Sequence, residues 1–105
     1  IYFHGAKSGH KIDAIQRCDK ASFCVYDQGF RREGEWALNI KSVIVFGRIR
    51  RVEDAQKTEE ICRNLCAKFT DDPTYAQQEW EKSGKHTLCL ALTPEHMTGK
   101  LVNES

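Results

Sequence analysis

The sequence has no surplus of charge of either sign: Lys and Arg number 16 against 15 Asp and Glu. A chain that gathers nucleic acid by its phosphates needs a clear basic excess, so that class is set aside. No apolar run approaches the roughly 18 residues of a membrane span, and no signal-peptide pattern is visible. The five cysteines are odd in number and contain no Cys-x-x-Cys spacing, so a disulfide framework fits poorly and reduced thiols in a cytoplasm fit better. The four histidines show no ligand spacing, which argues against a zinc site. Repeats, low-complexity tracts, linkers and a Gly-rich dinucleotide fingerprint are all lacking. What is left is one domain, residues 1–105. The chain does not begin with Met and opens inside what reads as a strand, so an N-terminal part is expected to be missing.

The first seventeen residues carry the strongest signal. Ile1 to Phe3 is a β-branched and aromatic run that reads as a strand. Gly5, Ala6, Ser8 and Gly9 make a small-residue loop, and Ile12, Ile15 and Cys18 set a helical period. Lys7, His10 and Lys11 crowd the turn between them. A helix start offers unpaired backbone N–H groups and partial positive charge, and small residues let a ligand approach the backbone. The combination is a candidate seat for the phosphate of a nucleotide-like cofactor.

Further along, Lys20 to Tyr26 reads as a strand and Asp27 to Glu35 as a loop joining antiparallel strands. Trp36 to Arg51 is the longest β-like stretch. Its centre, Ser42 to Gly47, is apolar on both faces, as in a strand deep in a sheet or barrel. Gly47 marks a bulge, a bend or the close approach of another backbone. Glu53 to Thr70 reads as a packing helix with Asp54 as N-cap and Ala55, Ile61, Cys62, Leu65, Cys66 and Phe69 on its apolar stripe. Cys62 and Cys66 share one face. They suit either two metal ligands or, as the better reading, small apolar residues of that stripe. Asp71 to Thr74 stops the helix, and Tyr75 to Lys82 makes a short helical turn with Trp80. His86 to Thr93 is a strand with leucines on one face and the small Cys89 and Ala91 on the other, leaving room for something bulky. Pro94 to His96 breaks that strand, and Met97 to Val102 forms a last short strand or turn.

The order IYFHGAKSGHKIDAIQRCDKASFCVYD, then EWALNIKSVIVFGRIRRVED with a helix, then HTLCLALTPEHMTGK resembles the flavin-binding split β-barrel proteins related to pyridoxamine 5'-phosphate oxidase. The nitroimidazole-resistance-like subgroup is the nearest, and the resemblance covers nearly the whole chain. It implies a mainly β fold with packing helices, an antiparallel split β-barrel that binds FMN and is here N-terminally truncated. By position, it implies that His4 and Gly5 lie beside the flavin or its ribityl chain. Lys7, His10 and Lys11 would meet the phosphate, and Ser42 would contact the flavin. His10 stands where Arg is often found, and His is only partly charged near neutral pH. His4 is the implied catalytic residue.

The implied activity is FMN-dependent oxidoreduction, passing electrons from a reduced donor through FMN to a small acceptor such as a nitro-aromatic. A flavin- or haem-binding protein without turnover is the alternative. The resemblance also implies a homodimer with the flavin at its interface and a small-molecule substrate. The Trp-, Arg- and His-rich C-terminal segment used by pyridoxamine phosphate oxidases is absent, which argues against vitamin B6 oxidation.

Overall fold

The computed structural model describes residues 1–103; Glu104 and Ser105, the last positions of the expected 1–105 domain, lie outside the described residues. In chain order the elements are β1 (Tyr2–Ala6), α1 (His10–Arg17), β2 (Lys20–Tyr26), β3 (Ile40–Arg51), α2 (Ala55–Ala67), α3 (Pro73–Ser83), one 3-10 turn (Gly84–His86) and β4 (Thr87–Val102). The strands form one sheet in the order β1-β4-β3-β2. β1 with β4, and β2 with β3, are antiparallel. For β3 and β4 the neighbours run Val52 with Cys89, Gly47 with Thr93 and Ser42 with Gly99. One number falls as the other rises, so this pair is antiparallel too. The chain divides into two compact units, residues 1–19 with 49–92, and residues 20–48 with 93 onward.

The first unit builds its core on both faces of the start of β4. Leu88 and Leu90 pack with Ile12 of α1, joined by Phe3, Ile15 and Ile49. Cys89 and Ala91 face the other way and pack with Val52 and Ile61, joined by Cys62. The bulky object for which the small face of β4 leaves room is therefore helix α2. Alternation of side chains along the strand makes two cores from one segment. Helix α2 starts at Asp54, whose carboxylate accepts from the Gln56 N–H at 2.9 Å. The segment expected only to stop α2 also starts α3: Asp72 accepts from Thr74 N–H at 2.9 Å and Pro73 occupies the first turn. Phe69, assigned to the apolar stripe, is 85% exposed, because α2 ends at Ala67 and Phe69 leaves its register.

In the second unit β2 and β3 pair from Lys20 opposite Arg48 to Tyr26 opposite Ser42. One face carries Ala21, Phe23 and Val45, and Val45 is buried. The other carries Cys24, Ile44 and Phe46, and all three are exposed. The stretch that reads as apolar on both faces is thus covered on one face only. Residues 36–39, expected to open β3, precede it; only Asn39 is paired, in an isolated bridge with Phe30. Asp27 shapes this connection by accepting from Gly29 N–H and Lys41 N–H at 3.0 and 3.1 Å.

The break expected at Pro94 does not occur: β4 runs unbroken to Val102. Leu92 exchanges main-chain hydrogen bonds with Ile1, and among the described residues β1 pairs with β4 no further. On the opposite flank Gly47 takes the close-approach role expected of it. A Cβ on Gly47 would stand 2.0 Å from the Thr93 carbonyl oxygen.

Candidate functional site

Five of the six residues singled out from the sequence, His4, Gly5, Lys7, His10 and Lys11, fall in the first unit, on β1 and the turn into α1. Ser42 lies on β3 in the second unit, half-buried and paired opposite Tyr26.

Strand β1 is an edge strand. Phe3 and Gly5 sit opposite Leu90 and Leu88, and Ile1 exchanges its hydrogen bonds with Leu92. The antiparallel alternation then turns the odd residues' N–H and C=O toward β4, and those of Tyr2, His4 and Ala6 toward the open edge. His4 accordingly presents main-chain donor and acceptor along that edge. Gly5 and its neighbour His4 direct their Cβ positions to opposite faces. On the Gly5 face stands the Lys11 ammonium, 3.2 Å from where a Gly5 Cβ would lie. On the His4 face, the imidazole lines a cavity of about 270 Å³ together with Cys62, Leu65, Cys66, Glu79 and Trp80.

The turn keeps its cations free. Lys7, His10 and Lys11 are all exposed, and among the described residues neither lysine has an ion-pair partner. Helix α1 begins at His10 after Gly9, whose φ of 140° is open to glycine and strained for other residues. No side chain caps this helix start, and a Cβ at Gly9 would meet nothing within 4 Å. The first-turn N–H groups are therefore left to an outside acceptor. Asp13, also in the first turn, partly offsets the positive end of the helix. Lys7 points elsewhere, lining a separate cavity of about 710 Å³ with Arg51, Thr58, Trp80 and Lys85.

The cavity beside His4 contains residues that sequence reasoning passed over. The sequence marks helix α2 chiefly as a packing helix, yet Cys62, Arg63, Leu65 and Cys66 form one wall. Helix α3 supplies Glu79 and Trp80. Arg63 is held between the helices by Glu59 at 3.0 Å and by the Gln77 amide oxygen. The indole of Trp80 lies against Gly84, where a Cβ would come within 2.7 Å of the ring. The four-residue spacing of Cys62 and Cys66 was the visible signal. What it lacked was the third element, because nothing local ties Cys62 to Cys89 or either to His4. Among the described residues no cluster of three or more His, Cys, Asp or Glu is arranged for a metal. His86 and His96 are exposed, and the His96 ring lies 6.2 Å from that of Phe46. No helix among the described residues is long and apolar enough to cross a membrane.

An antiparallel sheet with helices α1 and α2 packed on the two faces of β4 defines a split-barrel type of domain, as expected from the sequence. The family model described as pyridoxamine 5'-phosphate oxidase matches residues 1–101, and the chain belongs to that family. No curated protein matches it. Among solved structures it is similar to the conserved hypothetical protein Rv2991 from Mycobacterium tuberculosis, with a TM-score of 0.78 at 11% identity over 94% of this chain and 59% of that one. A candidate 5-nitroimidazole antibiotic resistance protein from Bacteroides thetaiotaomicron gives 0.72 at 16% identity, covering 95% and 60%. The flavocytochrome Anf3 from Azotobacter vinelandii gives 0.67 at 21%, covering 98% and 50%. The chain thus spans between half and three-fifths of these relatives' length. At such identities the likeness is one of fold.

Proposed function

We propose that this chain is the flavin-holding part of a flavin-dependent oxidoreductase, with FMN as the flavin. Family membership over residues 1–101 supports a flavin site, as do the flavocytochrome and the FAD-binding protein from Mesorhizobium loti among the similar structures. The observation that carries the reading is the Lys11 ammonium held over a side-chain-free Gly5 beside an uncapped helix start. That cradle has the charge, the free N–H groups and the room that a phosphate needs. Lys11 and His10 bind the phosphate, with Lys7 supplying charge from the same turn. Gly5 keeps the strand backbone accessible. The open-edge N–H and C=O of His4 orient the flavin.

When bound, the flavin supplies the two-electron chemistry. The imidazole of His4, at the mouth of the cavity toward α2 and α3, holds or donates a proton to a small acceptor such as a nitro-aromatic. Leu65 and Trp80 exclude water from that side. The reduced donor binds transiently, and the active form is a homodimer in a cytoplasm. The exposed apolar row of Ile44, Phe46, Met97 and Leu101 supports pairing with a second copy.

The absorption spectrum of the purified protein after incubation with FMN is the test. Flavin bands that stay with the protein through gel filtration, and turnover of a nitro-aromatic with a reduced nicotinamide, are the expected results. Retention of haem with a Soret band instead, which the FAD and haem binding protein from Mycobacterium smegmatis makes the second reading, would overturn the flavin assignment. Flavin bands without turnover would leave a carrier in place of an enzyme.

A further inference from the structure

We infer that Cys62 and Cys89 form a peroxide-responsive thiol pair, in which Cys62 is the sulfur attacked from solvent and Cys89 the one that resolves it into a disulfide tying α2 to β4. The two sulfurs stand 3.8 Å apart across the helix–sheet contact. Their access differs. Cys89 is fully buried, whereas Cys62 is half-buried and lines the cavity beside His4. A small hydroperoxide that enters this space of about 270 Å³ meets Cys62 and not Cys89. The Cys89 thiol also lies 3.9 Å from the Thr58 carbonyl oxygen, which keeps it against α2.

Burial raises both thiols, Cys89 to about 12, and Cys62 is relieved by its hydrogen bond with Cys89. Access sets the order: Cys62 is the sulfur the peroxide reaches, with the fully buried Cys89 beside it. The Cys62 thiolate attacks one oxygen of the peroxide, the O–O bond breaks and hydroxide leaves, giving a sulfenic acid. The Cys89 sulfur then attacks the Cys62 sulfur, its proton and the hydroxyl group leave as water, and the S–S bond closes. Two thiols lose two electrons and two protons, and one peroxide becomes two waters. To bond, the sulfurs need only close from 3.8 Å to about 2.0 Å. The competing partner is Cys66, which lines the same cavity. This pairing does not depend on the flavin reading.

The test is titration of the native protein with hydrogen peroxide, alkylation of the remaining thiols in denaturant, and non-reducing tryptic mapping. Cleavage after Arg63 places Cys62 and Cys66 on different peptides, so their partners are read separately. The expected product is a Cys62–Cys89 cross-linked peptide, lost on treatment with dithiothreitol and accompanied by a raised melting temperature. Cys62→Ser should abolish the cross-link and leave Cys89 reduced. Cys89→Ala should leave a sulfenic acid on Cys62 that dimedone traps. Should Cys89→Ala fail to fold, the wild-type map and Cys62→Ser decide alone. Cys62 joined to Cys66, or both Cys62 and Cys89 still reduced when the exposed Cys18 and Cys24 are oxidised, would overturn the proposal.

Discussion

The ammonium of Lys11 lies over Gly5, 3.2 Å from where a side chain on that residue would begin. The approach brings the first turn of α1 against the preceding strand, and a Cβ at position 5 would push the ammonium back by a few tenths of an ångström. If Lys11 meets the phosphate as proposed, Lys11→Ala removes a charge-assisted contact worth about 1.5–3 kcal/mol, or roughly a 10- to 150-fold loss of FMN affinity. Gly5→Ala meets the far end of a flexible side chain, so the fold survives while the ammonium shifts. A several-fold loss is expected there. Fluorescence titration of FMN against both variants checks this, and unchanged affinity in Lys11→Ala would sink the phosphate seat.

His4 sits one residue earlier, with its side chain on the opposite face and its main chain along the open edge. His4→Ala leaves those main-chain groups in place. Flavin binding should therefore persist while nitro-aromatic turnover falls by about 10²- to 10⁴-fold, the range for a lost general acid. Steady-state kinetics on FMN-loaded protein separates the two effects. Equal loss of binding and turnover would move His4 from catalysis to cofactor holding.

The Cys89 thiol, raised by burial from an ordinary 9.0 to about 12, makes stability depend on alkaline pH. Between those values the unfolded chain has lost the proton that the folded one keeps. Stability is thus full below pH 9.0 and falls toward about 12, with a slope from this group of at most about 1.4 kcal/mol per pH unit. Urea unfolding across that window should show the fall, and Cys89→Ala should flatten it relative to wild type. Parallel curves would show that this thiol is not the group responsible.

Gly47→Ala places a Cβ 2.0 Å from the Thr93 carbonyl oxygen and 2.9 Å from its carbon, where backbone and not a side chain must give way. A loss of about 3 kcal/mol or more is expected, at the upper end of overpacking costs. Gly99→Ala is the control, since its nearest neighbour would stand at an ordinary 3.8 Å. Thermal denaturation of the two variants measures the difference.

Phe46 is 45% exposed on a face of β3 that the described residues leave largely uncovered, with Met97 and Leu101 each 62% exposed on β4. If a second copy covers these residues, Phe46→Lys should convert a dimer to a monomer in sedimentation velocity. A monomeric wild type would remove the homodimer from the proposal.

Local chemistry was enough to find most of the elements. β-Branched runs mark the strands, the Asp54 cap and apolar period mark α2, and the small-residue loop with Lys7, His10 and Lys11 marks the turn into α1. Boundaries moved where a partner decides them: Phe69 falls off its helix, and Trp36 stays outside β3. Pro94 marks a break in the sequence because its lost N–H is visible there, whereas the strand that carries it through to Val102 is set by pairing with distant residues.

The sequence by itself determined the family, through the order of its segments along nearly the whole chain, and the strand–loop–helix opening with its cluster of cations, which rest on residues within one turn or strand of each other. Only the tertiary structure decided that His4 and the Lys11 ammonium serve opposite faces of β1, that the small face of β4 is filled by α2, and that Cys62 meets Cys89. The reason is the same in each case. A strand's alternation fixes which side chains share a face, but which helix covers that face follows from burial of distant apolar residues against one another.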